Sequence, residues 1–437
     1  MNSSNKQQEE GTLFGHPKGL FILFMVEMWE RFSYYGMRAL LVFYMTKQLL
    51  IGQEQASHVY GIYTGLVYLT PLFGGILADR FLGQRKSVYI GGTLMAIGHF
   101  LMAFENLFYM ALGFLIIGNG AFKPNISTQV GNLYPVGDSR RDSAFSIFYV
   151  GVNIGSFFAP LVCGTLGELW GWHYGFGVAG VGMLVGLFIY MWGQKYLAPD
   201  NLTARKKVST SKESEPLNQT EKLKIGVLIL ICILTIPFWI AFEQQGNTLA
   251  LWADADTERH VFGWEVPATW FLSLNPLFVF TVTPLLTAFW AWQSRHGKTM
   301  SSIAKMVMGC MLLGGSFIIM IPAGMWYEAD GIPVSMWWLI SSTLVMTLGE
   351  LYLSPIGMSM VTKLAPVRLV SMCMGIWYLS SFAGNLLAGY IGGYWEILKK
   401  EQFFLLLAML VVAAGSATWL YLYFLNRSSI KDEIAKV

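Results

Sequence analysis

Long apolar runs separated by short polar connections repeat along the whole chain. A helix needs about 20 consecutive apolar residues to cross the roughly 30 Å hydrocarbon core of a bilayer. On that measure twelve spanning helices are predicted, over roughly 20–45, 56–78, 87–104, 107–128, 144–167, 173–193, 223–250, 269–293, 301–324, 334–362, 370–393 and 402–425. One connection is longer than the rest. Residues 195–222 are polar, with Arg205-Lys206-Lys207 followed by Glu213-Ser214-Glu215-Pro216. They read as a cytoplasmic linker between two six-helix bundles, 1–194 and 223–437.

Composition agrees with the pattern. The 437 residues are 54% hydrophobic and 13% charged, against about 25% charged in soluble proteins. The placement of the 29 Lys and Arg tests the span count. With the N-terminus inside, 22 fall on the cytoplasmic side and four, Lys47, Arg259, Lys399 and Lys400, on the other. That bias fits the positive-inside rule. It predicts a multi-pass protein of the plasma (inner) membrane with both termini cytoplasmic. Cys163, Cys232, Cys310 and Cys373 stand alone in apolar segments, so neither a disulfide framework nor a zinc site is expected. Residues 1–15 are polar and carry no apolar core of a signal peptide, so no cleaved leader is expected.

The charges left inside spans are few. Glu27-Met28-Trp29-Glu30-Arg31-Phe32-Ser33-Tyr34-Tyr35-Gly36-Met37-Arg38 lies within the first apolar run. Each charge there costs about 2.5–3.5 kcal/mol at mid-bilayer, so four unpaired would cost on the order of 10 kcal/mol. Glu27, Arg31, Tyr34 and Arg38 share one helical face, which must meet water or partner charges. Beyond this run, and apart from Lys224 and Lys305 at the cytoplasmic ends of their spans, the spans hold only Lys123, Glu243 and Glu350. The charged spans are 1, 4, 7 and 10, every third helix. This spacing predicts four three-helix units whose first helices line a common cavity.

Several motifs sit on this frame. Gly74-Gly75-Ile76-Leu77-Ala78-Asp79-Arg80-Phe81-Leu82-Gly83-Gln84-Arg85-Lys86 resembles the loop signature of the major facilitator superfamily. Phe145-Ser146-Ile147-Phe148-Tyr149-Val150-Gly151-Val152-Asn153-Ile154-Gly155 opens span 5, where Gly151 and Gly155 allow close helix packing and Asn153 needs a partner. With the span 1 stretch, and with Gly120-Ala121-Phe122-Lys123-Pro124-Asn125, Ser273-Leu274-Asn275-Pro276, Gly349-Glu350-Leu351-Tyr352 and Gly375-Ile376-Trp377-Tyr378, the whole chain is similar to the proton-dependent oligopeptide transporter family.

The resemblance implies an all-α membrane protein with the twelve-helix fold of the major facilitator superfamily. It implies a symporter that uses the proton gradient to import di- and tripeptides by alternating access. Arg31 and Lys123 would hold a peptide carboxylate, with Arg38 counted among the same substrate-binding bases. Glu350, Asn153 and Asn275 would hold the amine. Glu27, Glu30 and Glu243 would couple protons. Tyr34, Tyr35, Tyr68, Trp239, Trp377 and Ser381 would shape side-chain pockets. The charges alone agree, since two bases and an acid suit a zwitterion. A carrier of nitrate or of a peptide-like drug on the same scaffold stays open, whereas a receptor is not expected, for want of a soluble signalling domain, and neither is an enzyme. No Ser/His, metal or Asp-pair spacing appears within the spans. Peptides, protons and the lipid bilayer are the expected partners; no cofactor, no nucleic acid and a monomer are expected.

Overall fold

The computed structural model describes residues 12–135, 138–200, 218–366 and 369–425. These residues form twelve long helices. They are α1 (Lys18–Phe43), α2 (Gln53–Leu77), α3 (Gln84–Leu101), α4 (Phe108–Asn132), α5 (Arg141–Ala159) and α6 (Trp172–Trp192), then α7 (Gln219–Phe242), α8 (Leu274–Arg295), α9 (Ser302–Asp330), α10 (Trp337–Leu364), α11 (Val370–Gly392) and α12 (Lys400–Leu425). Among the described residues, nine helical stretches are long and apolar enough to cross a membrane. α1 is not one of them, because its charges interrupt the apolar run. Twelve long helices are what the resemblance to the major facilitator superfamily implies.

Boundaries differ from the predicted spans where apolarity and helix part company. α7 begins at Gln219, four residues inside the expected linker, because Asn218 and Glu221 form a reciprocal cap: Glu221 N donates to Asn218 Oδ1 at 2.7 Å and Asn218 N to Glu221 Oε2 at 3.0 Å. Residues 201–217, the body of that linker, lie outside the described residues. α9 runs six residues past its apolar run and stops at Gly331, whose φ of +64° is the left-handed helix terminator that glycine favours. α7 breaks earlier than expected. A tight turn spans Glu243–Gly246, Asn247 leaves helical geometry, and a short helix Thr248–Ala255 follows.

By internal contacts the chain divides into two units. One comprises residues 1–41 and 69–214; the other comprises 42–68 and 215–437. The second unit thus takes the end of α1 and most of α2, which lie in the first half of the sequence. Within the first unit, α3 and α4 meet at Gly91 and Gly118, where a Cβ on either would stand 2.6–2.7 Å from the other's carbonyl oxygen. In the second unit α9 and α10 meet at Gly309 and Gly349, with 2.8–2.9 Å in the same test. The matching pair six helices on is the mark of an internal repeat.

Within the second unit α2 seats on α11 through Gly61 and Gly389. A Cβ on Gly61 would lie 2.6 Å from Gly389 Cα, and one on Gly389 2.6 Å from Ser57 O. A buried polar network runs beside this seam. Gln53 Nε2 donates to Gly392 O at 2.9 Å and to Ser57 Oγ at 2.8 Å. Ser57 Oγ donates to Asn247 Oδ1 at 2.9 Å, and Gln244 Nε2 to Ala388 O at 2.9 Å. Thr248 Oγ1 closes onto Gln244 Oε1 at 2.9 Å. In hydrocarbon these groups have no water to fall back on, and the donors of Gln53, Ser57, Gln244 and Thr248 all find partners here, while Gln53 Oε1 is left buried without one.

Candidate functional site

The first unit holds a buried ionic cluster on α1. Glu27 and Arg31 are one helical turn apart, and Arg31 Nε donates to Glu27 Oε1 at 2.9 Å. Glu30 Oε2 lies 2.6 Å from the same Nε. Glu27 and Arg31 are each 4% exposed and Glu30 is fully covered. α4 supplies the neighbours: Asn119 Nδ2 donates to Glu30 Oε1 at 3.2 Å, and Lys123 acts on Glu30 through space. One base thus serves two acids at one nitrogen. Arg31 Nη2 is buried with no hydrogen-bond partner, and so are Glu27 Oε2 and Glu30 Oε2 by hydrogen-bond alignment. The charges are paired, but each buried polar atom left without a hydrogen bond costs about 1–3 kcal/mol.

Tyr34 sits against the cluster, with the Arg31 guanidinium 5.6 Å from its ring centre. Tyr35 meets Tyr34 edge-on at 5.1 Å. Arg38 lies two turns beyond Arg31 on the same helix face and is half-buried. α5 is held against α1 by Gly151 and Gly155: a Cβ on Gly151 would be 2.9 Å from the Phe24 ring, and one on Gly155 3.0 Å from Arg31 Cβ. That packing backs the Arg31 side chain. Asn153, between the two glycines, is buried and turns its amide onto Tyr149 O of its own helix at 2.9 Å.

The second unit holds an acidic site of different make. Asn275 Nδ2 on α8 donates to Glu350 Oε2 on α10 at 2.8 Å and to Thr347 Oγ1 at 3.1 Å. Thr347 Oγ1 in turn donates to Thr343 O at 2.8 Å. Glu350 is half-buried. Glu243 is 2% exposed and close enough to act on Glu350 through space. It stands at the first residue of the α7 break, where backbone leaves the regular helix, as is common where a helix lines a polar site. Trp239, one turn earlier, stacks edge-on with Phe238 and Phe242 at 5.5 and 6.0 Å and leaves its buried Nε1 without a hydrogen-bond partner.

The remaining candidates in this unit are less clearly placed for a ligand. Trp377 is 2% exposed, and its ring fills the space that a side chain on Gly357 of α10 would need. That contact makes it a packing residue between α10 and α11. Ser381 is buried, and its carbonyl accepts from Asn385 Nδ2 at 2.9 Å. Tyr68 is half-buried on α2. Sequence reasoning missed Asn119, Thr347 and the network of Gln53, Ser57, Gln244 and Asn247. All are neutral polar residues in spans, and polarity at the helical spacing of a known charge was the signal available.

Comparison with known proteins gives a consistent result. Residues 85–212 and 198–402 match the sequence profile described as the POT family. The chain is 37% identical to the peptide transporter YePEPT of Yersinia enterocolitica subsp. palearctica serotype O:3 (strain YE-P4), over 92% of each chain. It is 32% identical to the di-/tripeptide transporter of Lactococcus lactis subsp. cremoris, over 94% of this chain and 96% of that one. Among solved structures, the peptide transporter POT in complex with sulfate superposes with a TM-score of 0.86 at 31% identity, covering 95% of this chain and 96% of that one. A POT family transporter in complex with a thioalcohol conjugated peptide gives 0.85 at 29% identity, with 94% and 97% covered.

Proposed function

The chain belongs to the POT family, and from that premise we propose that it is a proton-coupled symporter importing di- and tripeptides by alternating access. It works as a monomer in the plasma (inner) membrane, with both termini cytoplasmic and no cofactor beyond the proton gradient. The names of its relatives, a peptide transporter and a di-/tripeptide transporter, support the substrate class.

The observation that carries the reading is Arg31. Its Nε is held between Glu27 and Glu30, while Nη2 is buried without a partner. A carboxylate is the ligand that suits a guanidinium edge, and Lys123 adds a second positive charge nearby. Glu350, steadied by Asn275, suits an ammonium. A zwitterionic peptide carries one partner for each. Glu27, Glu30 and Glu243 are the proton-coupling groups; all three are buried carboxylates within the helical spans. Asn153 and Arg38 take part in substrate binding, and Tyr34, Tyr35, Tyr68, Trp239 and Ser381 bound the side-chain space. Trp377 does so from behind, through its packing on α10.

The test is uptake of labelled dialanine into proteoliposomes. With the outside acid, dialanine accumulates above its external concentration, and collapsing the gradient with a protonophore returns it to equilibrium. Arg31→Ala lowers uptake at least tenfold, in line with loss of one charge-assisted contact of about 1.5–3 kcal/mol. Accumulation that ignores the protonophore removes proton coupling. Uptake of nitrate in place of dialanine removes the peptide reading.

A further inference from the structure

An aromatic and basic strip covers the start of α1 and the end of α6, and nothing in the transport reading uses it. It begins with a close approach. Gly193–Tyr196 forms a tight turn after α6, and a Cβ on Gly19 of α1 would stand 2.5 Å from Tyr196 O. Only glycine lets α1 begin there. The approach sets Lys18 Nζ 5.9 Å from the centre of the Tyr196 ring. Lys195 Nζ lies 5.0 Å from the same ring and 5.5 Å from that of Trp192. Two ammoniums are therefore gathered on one tyrosine, each held by the face of an aromatic ring.

The strip continues along α1. Phe21, one turn after Lys18, meets Phe14 edge-on at 6.0 Å. Phe14 is the tip of a two-strand hairpin, Thr12–Leu13 with His16–Pro17. Its φ is +49° and that of Gly15 is +79°, the pair of positive values a two-residue turn of this hand needs. Phenylalanine is an unusual residue for that role. Its ring is 86% exposed, and Trp192 at the other end is 60% exposed. Lys195 is exposed and enters no ion pair recorded among the described residues.

We propose that this strip binds the phosphate of an anionic phospholipid. Exposed aromatic rings at the ends of spanning helices sit at headgroup level, and Lys side chains there attract anionic lipid. The two ammoniums take the phosphate, and Phe14 and Trp192 flank it with apolar surface that a glycerol backbone and acyl chain can cover. Free phosphate would use the lysines but not the rings. By the distribution of Lys and Arg, the leaflet concerned is the cytoplasmic one. The site stands apart from the transport reading and survives its failure.

Native mass spectrometry of the full-length protein in detergent, with added lipid, tests the proposal. Phosphatidylglycerol is retained in preference to phosphatidylcholine. Lys195→Gln weakens that retention about fivefold, and the double variant with Lys18→Gln by a further similar factor, as expected for about 1 kcal/mol per interfacial base. Trp192→Ala weakens retention of both lipids. Size exclusion and far-ultraviolet dichroism matching the parent show that the variants fold. Equal retention of phosphatidylglycerol by parent and double variant overturns the proposal. Displacement of the lipid by millimolar inorganic phosphate overturns it too, and assigns the lysines to a free-phosphate site.

Discussion

The seam between α2 and α11 makes a sharp prediction. Gly389→Ala places a Cβ 2.6 Å from Ser57 O and 2.8 Å from Gly61 Cα. Ordinary contact begins near 3.4 Å, and both opposing atoms are backbone, so no side chain can swing away. The two helices must part by most of an ångström. That strains the bonds from Gln53 to Gly392 O and from Ser57 to Asn247 that span the same seam. Overpacking of this kind costs about 1–3 kcal/mol, and each weakened buried bond about 0.5–1.5 kcal/mol. Alanine returns only about 1 kcal/mol in helix preference. A net loss of about 1–5 kcal/mol follows. Gly315→Ala on α9 is the control, because a Cβ there meets nothing within 4 Å. Thermal unfolding of the purified protein in detergent should order the three as Gly315→Ala at or above the parent and Gly389→Ala well below it. Dialanine uptake should fall in Gly389→Ala at matched protein amount. If the two variants unfold together, the close approach of α2 and α11 is not a constraint, and the assignment of residues 42–68 to the second unit loses its physical reason.

Other outcomes follow from the two charged sites. Asn275→Leu leaves Glu350 and Thr347 without their shared donor, a loss of about 1–3 kcal/mol; dialanine should compete for uptake about tenfold less well, while N-acetyl-dialanine is unchanged. Glu27, Glu30, Arg31 and Lys123 balance in formal charge, so an arriving carboxylate adds one negative charge that a buried cluster tolerates poorly. Calorimetry of peptide binding in two buffers of different ionisation enthalpy should count up to about one proton taken up per peptide, and fewer in Glu30→Gln; an equal count in both would clear Glu30 of the role. Outside the membrane, Arg140 donates to both oxygens of Asp138 at 2.7 and 3.1 Å, and those hydrogen bonds hold the Asp138 carboxyl down at about 2. What the pair adds to stability is present above the ordinary carboxylate range and lost as pH falls through about 2. An infrared titration should find Asp138 raised toward the ordinary range in Arg140→Gln, and still below it, because the backbone N–H of residue 140 keeps its bond to Asp138 Oδ1 at 2.9 Å.

The helices and the charged face of α1 were legible because a charge in an apolar run carries a cost too large to miss. Neutral polar groups carry no such flag. Ser57 finds Asn247 at 190 positions away and Gln53 finds Gly392 at 339, and no local pattern announces a partner that distant. The break in α7 at Glu243 was hidden for a related reason, since the apolar run continues across it and only the surrounding packing selects the turn. Two boundary signals were present and unread: the Asn218 and Glu221 cap, and Gly331 after Asp330. Both are local and follow from backbone geometry alone. The repeat joins what was read to what was not. The glycine pairs of α3–α4 and α9–α10 recur six helices apart with nearly the same spacing, so the scaffold is duplicated. The charge it carries is not: α4 bears Lys123, while α10 bears Glu350. By the glycine register Glu350, one residue after Gly349, matches the neutral Asn119, one residue after Gly118, while Lys123 lies one turn further along α4. Close helix packing tolerates only glycine at those contacts and so repeats, whereas a polar side chain beside them is free to differ between the two copies, which is why the packing is duplicated and the charge is not.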